Sequence, residues 1–181
     1  MKNKKQPIQL FLKWFDEELK RSKVRIPSAV CLSTIGTDDF PNARFVSFKE
    51  LIDDSFIITG PLNSRKGLEI EKNNKVALTF WWTETERQIR IQGFATKISD
   101  QLADKYFDAR STNSQAVSLI SEQGKETDNL KNWNKKCWKK FLKTPKLAGH
   151  GIGVDFQLNR YELNLWNSRN QGFTTENFMK L

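Results

Sequence analysis

Four runs of residues hold most of the chemistry available to this sequence. In order they are Arg44-Phe-Val-Ser-Phe-Lys49, Asn63-Ser-Arg-Lys66, Glu86-Arg-Gln-Ile-Arg90 and Tyr106-Phe-Asp-Ala-Arg110-Ser-Thr-Asn-Ser114-Gln115. Guanidinium, ammonium and hydroxyl groups recur in them, and all of these donate to anionic oxygen. Placed at strand ends and at a helix start, such groups hold phosphate-bearing small molecules. The chain has one histidine, His150, and its two cysteines, Cys31 and Cys137, show no metal-binding spacing. No metal site is expected, and no catalytic nucleophile stands out. An enzyme built this way leaves the difficult chemistry to a bound cofactor.

Each run has more than one physical reading. Ser64-Arg65-Lys66 follows a Gly-Pro turn and opens a helix. Backbone N–H groups, the helix dipole and two cations converge there, as in an anion site. The same triplet also suits a capped surface helix with solvated charges. Arg44 and Lys49 lie five apart, which puts them on opposite faces of a regular strand. An inward cation needs a partner, either a ligand phosphate or a distant carboxylate. Gln88 offers a donor and an acceptor to a heterocycle edge or to neighbouring backbone. Tyr106, Arg110 and Ser114, spaced by four, would share one face of a continuous helix.

The elements that must position these groups are legible from periodicity. Residues 8–22 read as an amphipathic helix with Ile8, Phe11, Leu12, Phe15 and Leu19 on its apolar face. Strands are predicted over 29–35, 42–51 and 55–59, the last two joined at Asp53-Asp54. A short helix follows Ser64, and 76–82 with 88–98 reads as a long hairpin. Helices are predicted over 100–110, 114–120 and 126–142, the last with Leu130, Trp133, Cys137, Trp138 and Phe141 on one face. Two closing strands are predicted over 154–156 and 161–166. Short strands with turn signals between them indicate a small α+β protein built on an antiparallel β-barrel.

Bulk properties narrow the class. A chain of 181 residues fits one domain with a core that needs no disulfide. No apolar run reaches the length of a membrane span. The basic N-terminus has no apolar segment of a signal peptide behind it, so a cytoplasmic protein with free thiols is expected. The net charge of +9 attracts anionic partners without choosing among them. Lys131-Asn-Trp-Asn-Lys-Lys-Cys-Trp-Lys-Lys140 mixes cations and aromatics as nucleic-acid sites do, but its aromatics fall at helical core spacing. Neither nucleic acid nor membrane is expected as a partner.

Taken together, order, spacing and residue types resemble the pyridoxine/pyridoxamine 5′-phosphate oxidase family, from about Phe11 to Trp166. The resemblance implies one FMN-binding split β-barrel domain over 1–181, with a helical segment over 1–27 and a divergent tail over 167–181. It implies a homodimer with FMN at the subunit interface. By position, Arg44, Phe45, Val46, Ser47, Lys49, Thr59, Arg65, Lys66, Gln88, Gln123 and Trp166 would line the FMN site. Lys49, Tyr106, Arg110 and Ser114 would grip the phosphate of the substrate. The implied reaction oxidises pyridoxamine or pyridoxine 5′-phosphate to pyridoxal 5′-phosphate, with O2 as acceptor. One departure stands out. The family follows its closing Trp with an Arg-x-His-x-Arg run, whereas this chain reads Trp166-Asn-Ser-Arg169-Asn-Gln. That leaves two other readings open: an FMN protein with another substrate, as in the phenazine-biosynthesis oxidases, and a non-catalytic binder of FMN or pyridoxal phosphate.

Overall fold

The computed structural model describes residues 5–120, 154–167 and 179–180 and the single residue Lys139, with side chains placed for 7–118 and Lys139. Seven strands and four helices are seen in this part of the chain. They are α1 (Lys5–Arg21), β1 (Ala29–Ile35), β2 (Pro41–Ile52), β3 (Ser55–Gly60), α2 (Arg65–Lys72), β4 (Lys75–Trp82), β5 (Arg87–Lys97), α3 (Asp100–Asp108), α4 (Thr112–Ile120), β6 (Val154–Asn167) and β7 (Met179–Lys180).

The sheet runs β3-β2-β1-β4-β5-β6-β7, and β6 also pairs with β3. Six antiparallel strands therefore close into a barrel, which leaves no long free edge. Alternation dictates the interior. Val30 and Leu32 of β1, Phe48 of β2, Val76, Leu78, Phe80 and Trp82 of β4, and Ile89 and Ile91 of β5 are all buried. The β2–β3 hairpin turns at Asp53 and Asp54, with φ of 46° and 62°. Left-handed backbone at both residues is what a two-residue type I′ turn requires.

One irregularity shapes the site. Phe48 pairs with Ile58, but Leu51 pairs with Phe56, so β2 carries one extra residue between them. This β-bulge lets Phe48 and Leu51 both pack on the main core. Lys49 and Glu50, consecutive in sequence, then both serve the outer side, where α3 lies. Arg44, Val46 and Phe48 keep the opposite side, as the five-residue spacing of Arg44 and Lys49 predicts.

α1 supplies the aromatic centre of the core. The Phe11 ring meets those of Phe48, Phe56, Phe80 and Trp82. The buried stripe is Ile8, Phe11, Trp14 and Glu18, while Leu12 and Leu19 stay exposed. The predicted apolar face is thus rotated, and polar docking explains the rotation. The Glu18 carboxylate accepts from the N–H groups of Glu84 and Thr85 and from the Thr85 hydroxyl. Arg87 reaches Glu17 at 2.6 Å and lies 4.6 Å from the Trp14 ring centroid.

Two further expectations change. The segments 154–156 and 161–166 form one strand, because β5 pairs along both and a register shift between Gln92 and Phe94 absorbs the polar stretch between them. Tyr106, Arg110 and Ser114 do not share a continuous helix. Ser111 starts a new helix: its hydroxyl accepts from Ser114 N–H and its carbonyl from Gln115 N–H. The helix predicted over 126–142 lies outside the described residues, Lys139 excepted.

Candidate functional site: a cationic pocket between the bulge and two helices

A cavity of about 470 Å³ opens where β2, the end of β3, α2 and the α3–α4 corner meet. From β2 it takes Phe45, Val46, Ser47 and Lys49. The β3–α2 connection adds Thr59, Gly60, Pro61 and Lys66, and the corner adds Tyr106, Ala109, Arg110 and Ser114. Three cations therefore face one space, and no carboxylate lines it among the described residues.

The local sequence explains why Lys66 is there. Ser64 is the N-cap of α2, its hydroxyl accepting from Gly67 N–H and donating to Pro61 O. The same oxygen accepts from Lys66 Nζ at 3.1 Å. Gly60 makes the reach possible, since a Cβ on it would lie 2.2 Å from Lys66 Cε. Burial, and then the charges of Arg44 and Arg110, bring the Lys66 ammonium down to about 8. A buried cation lowered by its neighbours is one that a bound anion would stabilise.

The α3–α4 corner is braced from within. Gln115 Nε2 donates to the carbonyls of Phe107, Asp108 and Arg110. Arg110 donates to Ser118 Oγ at 2.8 Å, and Ser118 donates to Ser114 O. Tyr106 Oη donates to Glu50 Oε1 at 2.6 Å, and Lys105 stands 3.7 Å from the same oxygen.

Not every expected residue reaches the pocket. Phe45, Val46, Ser47, Lys49, Thr59, Lys66, Tyr106, Arg110 and Ser114 do. Arg44 and Arg65 do not line it. They converge on Glu69, a fully buried carboxylate, with contacts of 2.7 Å and 3.0 Å. Thr34 and Asn42 complete the shell of Glu69 at 2.6 Å and 2.8 Å. Burial alone would raise its carboxyl, but the bonds from Thr34, Arg65 and Arg44 win and hold it below its ordinary value. Arg44 thus has a distant carboxylate as its partner. Gln88 stands apart from the pocket, in register between Trp81 and Trp166 on the neighbouring strands. Gln123 lies outside the described residues.

Sequence reasoning overlooked Glu69, Gly60 and the role of Glu50. Glu69 could have been found, since it lies four residues after Arg65 on a helix. Glu50 was visible only as the first acid after Lys49. Nothing local marks Gly60 as more than the end of a strand.

Comparison with known proteins places this architecture. The sequence profile described as pyridoxamine 5′-phosphate oxidase matches residues 15–134. A pyridoxine/pyridoxamine 5′-phosphate oxidase from Cupriavidus pinatubonensis is 34% identical over 166 residues, 90% of this chain and 77% of the relative. This chain belongs to the pyridoxamine 5′-phosphate oxidase family. The oxidase of the same description from Nostoc punctiforme is 41% identical over 117 residues. That match takes in 65% of this chain but spans only 54% of the Nostoc oxidase. Among solved structures, PhzG from Burkholderia lata 383, in complex with tetrahydrophenazine-1-carboxylic acid, superposes with a TM-score of 0.79 at 23% identity. It covers 97% of this chain and 90% of PhzG. A pyridoxamine 5′-phosphate oxidase-related, FMN-binding protein from Nostoc punctiforme gives 0.71 at 14% identity, over 88% and 85% of the two chains. The fold of this oxidase-family chain is accordingly the split barrel with flanking helices.

Proposed function

We propose that this protein is an FMN-dependent oxidase that converts pyridoxamine or pyridoxine 5′-phosphate to pyridoxal 5′-phosphate, with O2 as acceptor. The observation that carries the reading is the pocket itself. Lys49, Lys66 and Arg110 face a space that no carboxylate lines among the described residues, with the hydroxyls of Ser47, Thr59, Tyr106 and Ser114 around it. That donor set fits phosphate, which both FMN and the substrate carry. Lys66, with Ser47 and Thr59 beside it, is assigned to FMN, and Lys49, Arg110, Tyr106 and Ser114 to the substrate phosphate. Gln88 is assigned to the flavin ring, with Trp166 across the strand pair.

When bound, FMN supplies hydride acceptance and the passage of electrons to oxygen. The residues of this chain bind and orient. Fixing the substrate phosphate at Lys49 and Arg110 sets how far the reacting carbon stands from the ring, which converts binding into orientation.

The outer face of β2, β1, β4 and β5 supports a homodimer. Phe45 and Trp81 are 77% and 54% exposed on it, and Phe45 also lines the pocket. Aromatic residues are enriched at the cores of protein interfaces. Among the described residues no helix is long and apolar enough to cross a membrane.

A second reading rests on the sequence after Trp166, where Asn-Ser-Arg169 replaces the Arg-x-His of the family. It keeps FMN and changes the substrate, or keeps binding without turnover. One experiment separates the readings. Protein loaded with FMN is made anaerobic and mixed with pyridoxamine 5′-phosphate. Bleaching of the flavin absorbance supports the oxidase. A bound but unbleached flavin favours the second reading, and failure to retain FMN overturns both.

A further inference from the structure

Glu50 is an acid in contact with the substrate-phosphate cluster, and its bond to Tyr106 has a chemical consequence. A phenol carries one proton to donate, and an ionised carboxylate can only accept. In this structure Tyr106 gives that proton to Glu50 Oε1 at 2.6 Å. A phosphate ester in the pocket, whose oxygens also only accept, would draw on the same proton. The bulge in β2 creates the conflict by presenting Lys49 and Glu50 side by side on the α3 side of the strand. Tyr106 is nearly buried at 9%, so water offers its hydroxyl little alternative. The Glu50 side chain is 45% exposed and can be hydrated when it loses the phenol.

We propose that Glu50 is a specificity-determining residue that competes with the ligand phosphate for the single proton of Tyr106. Phosphate binding is then a donor exchange: the Tyr106–Glu50 bond breaks, Tyr106 turns its O–H to the phosphate, and Glu50 passes to water. Glu50 weakens the grip on phosphate esters and eases release of a phosphorylated product. The inference rests on the assignment of this pocket to a phosphate ester.

Two measurements test it. The first titrates pyridoxal 5′-phosphate into wild type, Glu50→Gln, Tyr106→Phe and the double variant. A charged acceptor binds a donor more strongly than a neutral one, so Glu50→Gln tightens binding by about five- to tenfold. In the Tyr106→Phe background the gain falls below about twofold, since only a screened charge is then removed. Unchanged or weaker binding in Glu50→Gln overturns the proposal, as does an equal gain in both backgrounds. The second uses no ligand. The chain has two tyrosines, Tyr106 and Tyr161, so Tyr161→Phe leaves one whose Raman doublet reports whether the phenol donates. A donor signature that Glu50→Gln weakens is expected, and a doublet indifferent to Glu50 overturns the exchange. If the doublet responds and wild type binds no phosphate ester, the proposed function falls and takes the competition with it. If wild type binds tightly and neither measurement responds to Glu50, only the present inference falls.

Discussion

Lys66 is the residue on which the anion chemistry turns. Its ammonium is brought down to about 8 in the free protein by burial and by Arg44 and Arg110. A bound phosphate favours the charged form and raises that value again. As far as Lys66 sets it, affinity for FMN or pyridoxal 5′-phosphate is therefore level just below about pH 8 and declines above it, by up to tenfold per unit. Calorimetric titration across pH 7 to 9.5 (an illustrative span of roughly the window set by the shift) should show this decline in wild type. Lys66→Met should bind weakly and lose the dependence. For stability the sign differs. A depressed lysine makes the fold less stable as pH falls from its unfolded value of 10.5 towards 8, and changes nothing further below that.

Glu69 belongs to the same scale but to a different job. It is fully buried and neutralises Arg44 and Arg65. Glu69→Ala strips both arginines and Thr34 of their acceptor and should cost about 2–4 kcal/mol, the exposed half of Arg65 softening the loss. Glu69→Gln should recover part of it. Because its carboxyl is held below 4.5, Glu69 contributes stability above that pH and loses it as pH falls further. Acid unfolding followed by circular dichroism should start at higher pH in Glu69→Gln than in wild type, because the variant lacks that contribution at every pH, and coincident transitions would show that Glu69 contributes none of it. Arg44 shows why sequence reading stopped short here. Its partner lies 25 residues away, and only the packing of α2 against the barrel brings them together.

At the scale of elements, the turn between β3 and α2 is the sensitive joint. Gly60 leaves room for Lys66 Cε, and that atom is the mobile end of a long side chain. Gly60→Ala should leave the melting temperature nearly unchanged while displacing the ammonium and weakening phosphate binding several-fold. Thermal unfolding and a ligand titration on one preparation check both halves. Gly67 is different, because a Cβ there would meet the Leu62 carbonyl at 1.9 Å. Strand identities were legible because alternation survives in segments such as Val76–Trp82. The α3–α4 break was legible as two separate helices, over 100–110 and 114–120, but the bonds of Ser111 and Gln115 that fix its geometry do not follow from apolar period. The buried face of α1 was misread for the same reason: Glu18 turns inward to satisfy the backbone of a turn 66 residues away.

For the whole molecule, the closed barrel positions the pocket, and its outer face is the surface proposed for the dimer. Neighbouring positions on that face carry Phe45, Cys31, Thr79 and Arg90, paired across β2, β1, β4 and β5. If it is the dimer interface, Trp81→Lys should shift the chain to a monomer by light scattering and lower FMN retention together. Monomerisation with full FMN retention would place the cofactor wholly within one subunit. The barrel class was legible from the short strands and the turns between them, but the β3–β6 pairing that closes it, joining Phe56 to Leu158, lies beyond local reading.

The extra residue in β2 has a consequence for how such a protein can change over time. Side-chain alternation behaves like a reading frame, and the bulge is a one-place slip within it. Deleting Glu50 would restore a regular ladder with β3 and remove the proton acceptor of Tyr106 in one step. Deleting a residue elsewhere between Pro41 and Phe48 would turn core side chains to solvent. Lineages that gain or lose a residue in this strand can therefore do so at the bulge without turning the core outward, and the bulge lies beside the cationic pocket.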